Sequence, residues 1–397
     1  MKASHASISG RATPTRIAYG AHAVHDGFTD LIYVLLPTFQ AEFGLSYAQT
    51  GLVKAIYSGS LALCQTPAVW LAGHAGARTV LAGGTAATAL GFLLAGAGTS
   101  FAALIVALAV MGIGASVQHP IASDIVAEDN RDSGTRQALS RYNFAGDIGK
   151  VIFPLLVALL LGILSWRAVS VAMGIFGLAA AAAIAVALSR PVAAKKAKIA
   201  DSGRPRTGPW HHPGAFAALL SIGIIDSATR MSFLTFLPFL LMAKGAAAST
   251  IGLALSLVFA GGACGKLVCG WLATRIGATR TVFLTETLTA IFIIALPFVD
   301  LVPALLALPL LGAALNGTSS ALYGSVPELA GPAKQRHAFA IFYTGTIGAG
   351  AVSPVIYGAF SDQIGVAAMM FIVGTIVMLT LPLAYLLGRL SQPDDAG

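Results

Sequence analysis

His22, Asp26 and Asp30 recur at every fourth position, so on a helix they stack along one face. Two carboxyl groups and an imidazole at that spacing can hold, share and pass a proton. Burial favours this use, because it disfavours charge on both kinds of group. Asp26 is the first candidate for that role, and Tyr33 follows within a turn of Asp30. His25 points off this face and reads as structural. Asn143, Asp147 and Lys150 fall at i, i+4 and i+7 and share another face. Asp147 offers a further proton site, or it neutralises Lys150. Arg141 lies close enough to the end of its run to reach water by snorkelling.

Asp226 and Arg230, at i and i+4, make either an internal salt bridge or a free guanidinium. A free guanidinium binds carboxylate or phosphonate bidentately. Lys54 and Lys266 can pair with acids elsewhere or act as gating charges that exchange partners. In Gln118-His119-Pro120 the proline interrupts the backbone ladder, which is tolerated where freed carbonyls line a cavity. His119 therefore joins the candidate binding residues, with Asn316, Tyr323 and Tyr343 as uncharged additions. His22, His25, Asp26 and His119 could in principle ligate a metal. No His-Glu-x-x-His, Cys-x-x-Cys, Gly-x-Ser-x-Gly or Gly-x-x-x-x-Gly-Lys-Ser/Thr motif accompanies them. Metal, cofactor, nucleophilic catalysis and ATP drive are accordingly not expected, and the chain does not read as an enzyme.

These groups sit in an apolar chain. Of 397 residues, 56% are hydrophobic and 10% charged, against about 25% charged in soluble domains. The mean hydropathy is +0.81. The net charge of +8 suggests nucleic acid, but the basic residues lie in short loops between apolar runs, a membrane pattern. Cys64, Cys264 and Cys269 lie in such runs and read as small packing residues.

A helix of about 20 apolar residues crosses a bilayer. Twelve runs qualify: 17–40, 47–73, 77–97, 101–123, 137–162, 166–189, 214–242, 250–273, 278–299, 301–323, 335–360 and 365–388. The one long connection, 190–213, is basic and divides the chain into six-helix halves, 1–189 and 214–397. With both termini in the cytoplasm, the outer loops hold only Arg167 and Lys244 among the basic residues. The positive-inside rule fixes that orientation. The expected architecture is an all-α polytopic membrane protein.

The halves repeat each other. Asp26-Gly-Phe-Thr-Asp30 with Pro37 answers Asp226-Ser-Ala-Thr-Arg230 with Pro238. Gly51-Leu52 answers Gly252-Leu253, and Gly146-x-x-Gly149 with Pro154 answers Gly345-x-x-Gly348 with Pro354. Two like-oriented halves imply a secondary transporter with its site at the midplane between them.

Leu71-Ala72-Gly73-His74-Ala75-Gly76-Ala77-Arg78 and Gly270-Trp271-Leu272-Ala273-Thr274-Arg275-Ile276-Gly277 resemble a loop of the major facilitator superfamily. Gly73 and Thr274 stand where that family has an acid. His22 through Gln40, the stretch Gly112 to Pro120, and Gly146-Asp147-Ile148-Gly149-Lys150 resemble the fosmidomycin-resistance exporters. Lys150 departs from that group's small residue. The resemblance implies two six-helix bundles, with spans one, four, seven and ten lining the cavity. Spans three, six, nine and twelve would be peripheral, which sets aside the lone Glu286. It also implies proton-driven export of small, often anionic compounds by a monomer in a bacterial inner membrane. Its partners would be the substrate, protons and lipid. An importer of organic anions and an exporter of cationic or neutral drugs are the competing readings.

Overall fold

The computed structural model describes residues 14–131, 134–188, 210–331 and 334–391, without the side chains of Arg136 and Arg336. Most of the predicted 190–213 linker lies outside the described residues. Within them the chain is helical, with no strand. The helices are α1 (Pro14–Asp30), α2 (Ile32–Phe43), α3 (Tyr47–Ala75), α4 (Ala77–Ala97), α5 (Phe101–Ala115) and α6 (Gln118–Asp129). They continue as α7 (Thr135–Leu160), α8 (Trp166–Ala187), α9 (Pro213–Ala243), α10 (Ala248–Ile276) and α11 (Ala278–Ala295). The last four are α12 (Leu301–Ala330), α13 (Gln335–Ile364), α14 (Val366–Val377) and α15 (Thr380–Leu390).

These elements follow the twelve runs. Run one is α1 plus α2, run four α5 plus α6, and run twelve α14 plus α15. Ten of the resulting rods, among the described residues, are long and apolar enough to cross a membrane on length and composition. The first two fall short because polar residues dilute their hydropathy. Three of the described helix starts carry side-chain caps. Ser46 and Gln49 form a reciprocal capping box on α3, and Ser100 and Ser165 cap α5 and α8.

Packing positions the polar residues. In the first half α1 lies on α7 and α4 on α5 and α8; in the second, α9 lies on α13 and α10 on α12. Across the halves, α3 meets α13 and α7 meets α10. At one end a single apolar core takes residues from both halves, including Phe28, Phe39, Phe153, Phe233, Phe259 and Leu311. Toward the other end the core divides. One cluster, with Ala21, Ile121 and Tyr142, belongs to the first half; another, with Ile222, Leu322 and Phe342, belongs to the second. Asp26 on α1, Asp147 and Lys150 on α7, and Asp226 and Arg230 on α9 fall between residues of these clusters, at the level where one core becomes two.

Candidate functional site

Asp26 is the hub. It is buried on α1, and its Oδ1 lies 3.3 Å from His22 Nε2, 3.8 Å from His25 Nε2 and 3.9 Å from His119 Nε2. Its Oδ2 lies 3.4 Å from Lys150 Nζ, which also reaches Asp30 Oδ2 at 3.6 Å. Lys150 therefore bridges both acids of α1 from α7. The approach depends on small residues, since a Cβ at Gly146 would meet Asp26 and His22, and one at Gly149 would overlap the Ala23 carbonyl.

His22 Nδ1 is 2.8 Å from the Tyr142 carbonyl, which can only accept, so Nδ1 donates. A neutral His22 then turns the Nε2 lone pair toward the Asp26 carboxylate. A proton on either group would bridge the two. The His22 ring also stacks on Tyr142, with centroids 3.9 Å apart. Nε2 of His22 and of His25 are buried with no hydrogen-bond partner. His119, at the start of α6, keeps 48% of its side chain exposed and is the member of the group most open to the cavity. Ligand atoms of His22, Asp26 and His119 come within 4.8 Å of one another, a spacing that would suit a metal. The Lys150 ammonium on the same carboxylate opposes a dication there, and the group fits a proton better.

Asp147 does not pair with Lys150. Its Oδ1 accepts from Lys266 Nζ at 2.6 Å, an ion pair between α7 and α10 and so between the halves. Lys54 is 2% exposed and has no carboxylate at ion-pair distance among the described residues. It donates to the Thr29 carbonyl at 3.3 Å and lies 4.2 Å from the Tyr33 ring centroid and 5.2 Å from that of Tyr57. Carbonyl and π-face contacts thus replace an anion. The Tyr33 hydroxyl donates to Met231 Sδ of the other half at 3.3 Å.

The internal Asp226–Arg230 salt bridge does not form. Arg230 Nε is buried without a hydrogen-bond partner. Its guanidinium lines a small cavity with Asp226, Ser227, Ser319, Tyr323 and Thr346. Tyr323 stacks against Tyr343 at 5.1 Å, and Tyr343 is 46% exposed. Asn316 spends its amide on the Gly312 carbonyl at 3.1 Å, against Gly262 of α10. Arg141 and Asn143 are exposed on α7 and make no hydrogen bond or ion pair among the described residues.

Two residues set aside on sequence grounds enter the polar network. His25 reaches Asp26, although helical spacing alone turns it off that face. Glu286 is 1% exposed and lies against Asp226. A lone acid in an apolar run is itself a signal, since insertion of one costs about 2.5–3.5 kcal/mol.

The model of the Major Facilitator Superfamily matches residues 18–243 and 219–397. The fosmidomycin resistance protein of Escherichia coli (strain K12) is 24% identical over 381 residues, covering 90% of each chain. A probable L-galactonate transporter of the same organism is 23% identical over 141 residues, 36% of this chain and 31% of that one. Crystal structures of a bacterial homologue of the human lysosomal transporter Spinster share the fold. The inward-facing, occupied form has a TM-score of 0.78 at 15% identity, covering 97% of this chain and 100% of that one. The inward-facing, unoccupied form has a TM-score of 0.79 at 16% identity, covering 98% and 100%.

Proposed function

The chain belongs to the Major Facilitator Superfamily, and on that footing we propose that it is a proton-coupled secondary transporter exporting a small organic anion, phosphonate-like or carboxylate-like. The single observation that carries the coupling of protons to an anion is the Lys150 bridge to Asp26 and Asp30; the export direction rests on the relative named for resistance. Those acids hold the one cation that an anion in the cavity would need from this half, so proton occupancy and anion binding act on the same ammonium. Asp26, assisted by His22, is the primary coupling site; Asp30 and Asp147 are secondary. Arg230 and Lys150 hold the anion, with His119, Tyr33, Tyr323 and Tyr343 around it. Asn143, Asn316, Arg141 and Asp226 line its route. Lys54 and Lys266 act in gating, Lys266 through its pair with Asp147.

The bundles 1–189 and 214–397 rock about this level, with both termini in the cytoplasm of a bacterial inner membrane. The divided core then faces the cytoplasm and the continuous core closes the outside. Export is supported by the relative named for resistance. The drug-exporter reading is weaker, because the acids of the first half already have cations: Lys150 on Asp26 and Asp30, and Lys266 on Asp147.

The Lys150 bridge also favours a second reading. Protonation of Asp26 frees Lys150 for an anion, so proton and anion promote each other's binding, and by linkage the effect is reciprocal. That is the sign expected of a symporter that imports the anion. Purified transporter in liposomes tests the common core of both readings. Asp26→Asn abolishes proton-driven accumulation of methylphosphonate or a small carboxylate and preserves anion exchange. Normal gradient-driven uptake in that variant overturns the assignment.

A further inference from the structure

Asp226 of α9 and Glu286 of α11 are buried, 4% and 1% exposed, and their carboxyl groups lie against each other. Neither has a cation at ion-pair distance among the described residues, although Arg230 follows Asp226 by one helical turn. Glu286 Oε1 has no hydrogen-bond partner. Its other oxygen is 3.5 Å from the Thr380 hydroxyl, but that hydroxyl lies 2.6 Å from the Val377 carbonyl. A hydroxyl has one hydrogen, and the shorter contact takes it. The Thr380 hydroxyl is therefore only a weak donor to Glu286. The remaining polar groups nearby are Ser227 on α9, Thr318, Ser319 and Tyr323 on α12 and Thr346 on α13.

Two adjoining carboxylates without a counter-ion cannot both stay ionised in a low-dielectric interior. From this geometry we infer that Asp226 and Glu286 form a second proton-binding site, a carboxyl pair that holds one proton between them. Glu286 carries it and donates to Asp226. The arrangement explains why Arg230 is left unpaired: Asp226 is engaged by the proton on Glu286. Loss of that proton leaves two anions, and Asp226 then draws Arg230 onto itself and away from the cavity. The site thus gives the second half a proton-controlled cation, as Asp26 and Lys150 give the first. This role in transport rests on the proton-coupled reading; the proton itself does not.

Infrared spectroscopy of the purified full-length protein, in lipid at neutral pH, reads the proton directly. A carbonyl-stretch band of a protonated carboxyl group is expected, lost in Glu286→Gln and kept in Glu286→Asp. In Asp226→Asn the band persists at a changed frequency, because an amide replaces the carboxylate that accepts the hydrogen bond. Glu286→Asp keeps a carboxyl, so it separates loss of the acid from loss of the fold. A spectrum unchanged by Glu286→Gln overturns the site. A band whose frequency ignores Asp226→Asn overturns the pairing and leaves Glu286 as an isolated neutral acid. No gradient or substrate is present, so the outcome is independent of whether Asp26 couples transport.

Discussion

A buried carboxylate shared by three imidazoles and an ammonium is costly to assemble, and each neighbour limits what Asp26 can do. His22 is fixed by the Tyr142 carbonyl, so its free nitrogen must face the acid. Lys150 neutralises Asp26 and Asp30 together, and removing it strands both. Breaking a buried pair costs about 3–5 kcal/mol when the remaining charge stays unpaired. Lys150→Gln is therefore expected to lower the thermal unfolding midpoint, and adding Asp26→Asn to restore part of it. Additive losses in that double-mutant cycle would deny the pair its energetic coupling. Much of this residue-level account is legible in the sequence. The stacked acids of α1 follow from spacing within a helix, and so does the face shared by Asp147 and Lys150. The partners do not, because they come from other helices. Lys266 takes Asp147, and Lys150 crosses to α1. Glu286 stands alone in its run, and its neighbour is far off in sequence.

Helices carry these groups only as closely as their backbones approach. The α1–α7 contact is set by Gly146 and Gly149, where added side-chain atoms would meet Asp26, His22 and the Ala23 carbonyl. Overpacking of this kind costs about 1–3 kcal/mol. Gly149→Val is expected to destabilise the fold by that order and to weaken coupling by pushing Lys150 from Asp26. Unchanged unfolding in that variant would refute the close approach. A second contact closes the end where the core is continuous. Asp362, near the end of α13, accepts from the Tyr47 amide at 2.6 Å and the Ala48 amide at 3.1 Å. It so caps the exposed N-terminus of α3, a helix of the other half. Losing such a cap costs about 0.5–2 kcal/mol, enough to shift a two-state equilibrium several-fold. In the proposed orientation Asp362→Ala favours the outward-open state. With Cys64, Cys264 and Cys269 replaced by serine, a cysteine at the buried Thr50 should then label faster from outside. An unchanged labelling rate would remove Asp362 from the gate.

Across the whole molecule, twelve apolar rods and a two-fold internal repeat are written in the sequence as hydropathy and recurring Gly and Pro positions. The breaks within three rods are not. They fall at Leu31, beside Asp30, at Ser116–Val117, just before His119, and at Met378–Leu379, just before Thr380. The division of the core is equally invisible to periodicity, since it depends on which halves touch at each depth. It matters most for function, because it sets the charged residues where the closed end gives way to the divided one.

The central claim is that this charged level couples protons to an organic anion. The most direct test uses inverted membrane vesicles with an acidic lumen and a lumenal pH dye, given phosphonates, carboxylates and cationic drugs one at a time. Lumenal alkalinisation on adding an anion, lost in Asp26→Asn, is the predicted result and marks proton-antiport export. Acidification on adding the anion, also lost in Asp26→Asn, selects the symporter. A response to cations alone, or proton movement that survives Asp26→Asn, contradicts the account.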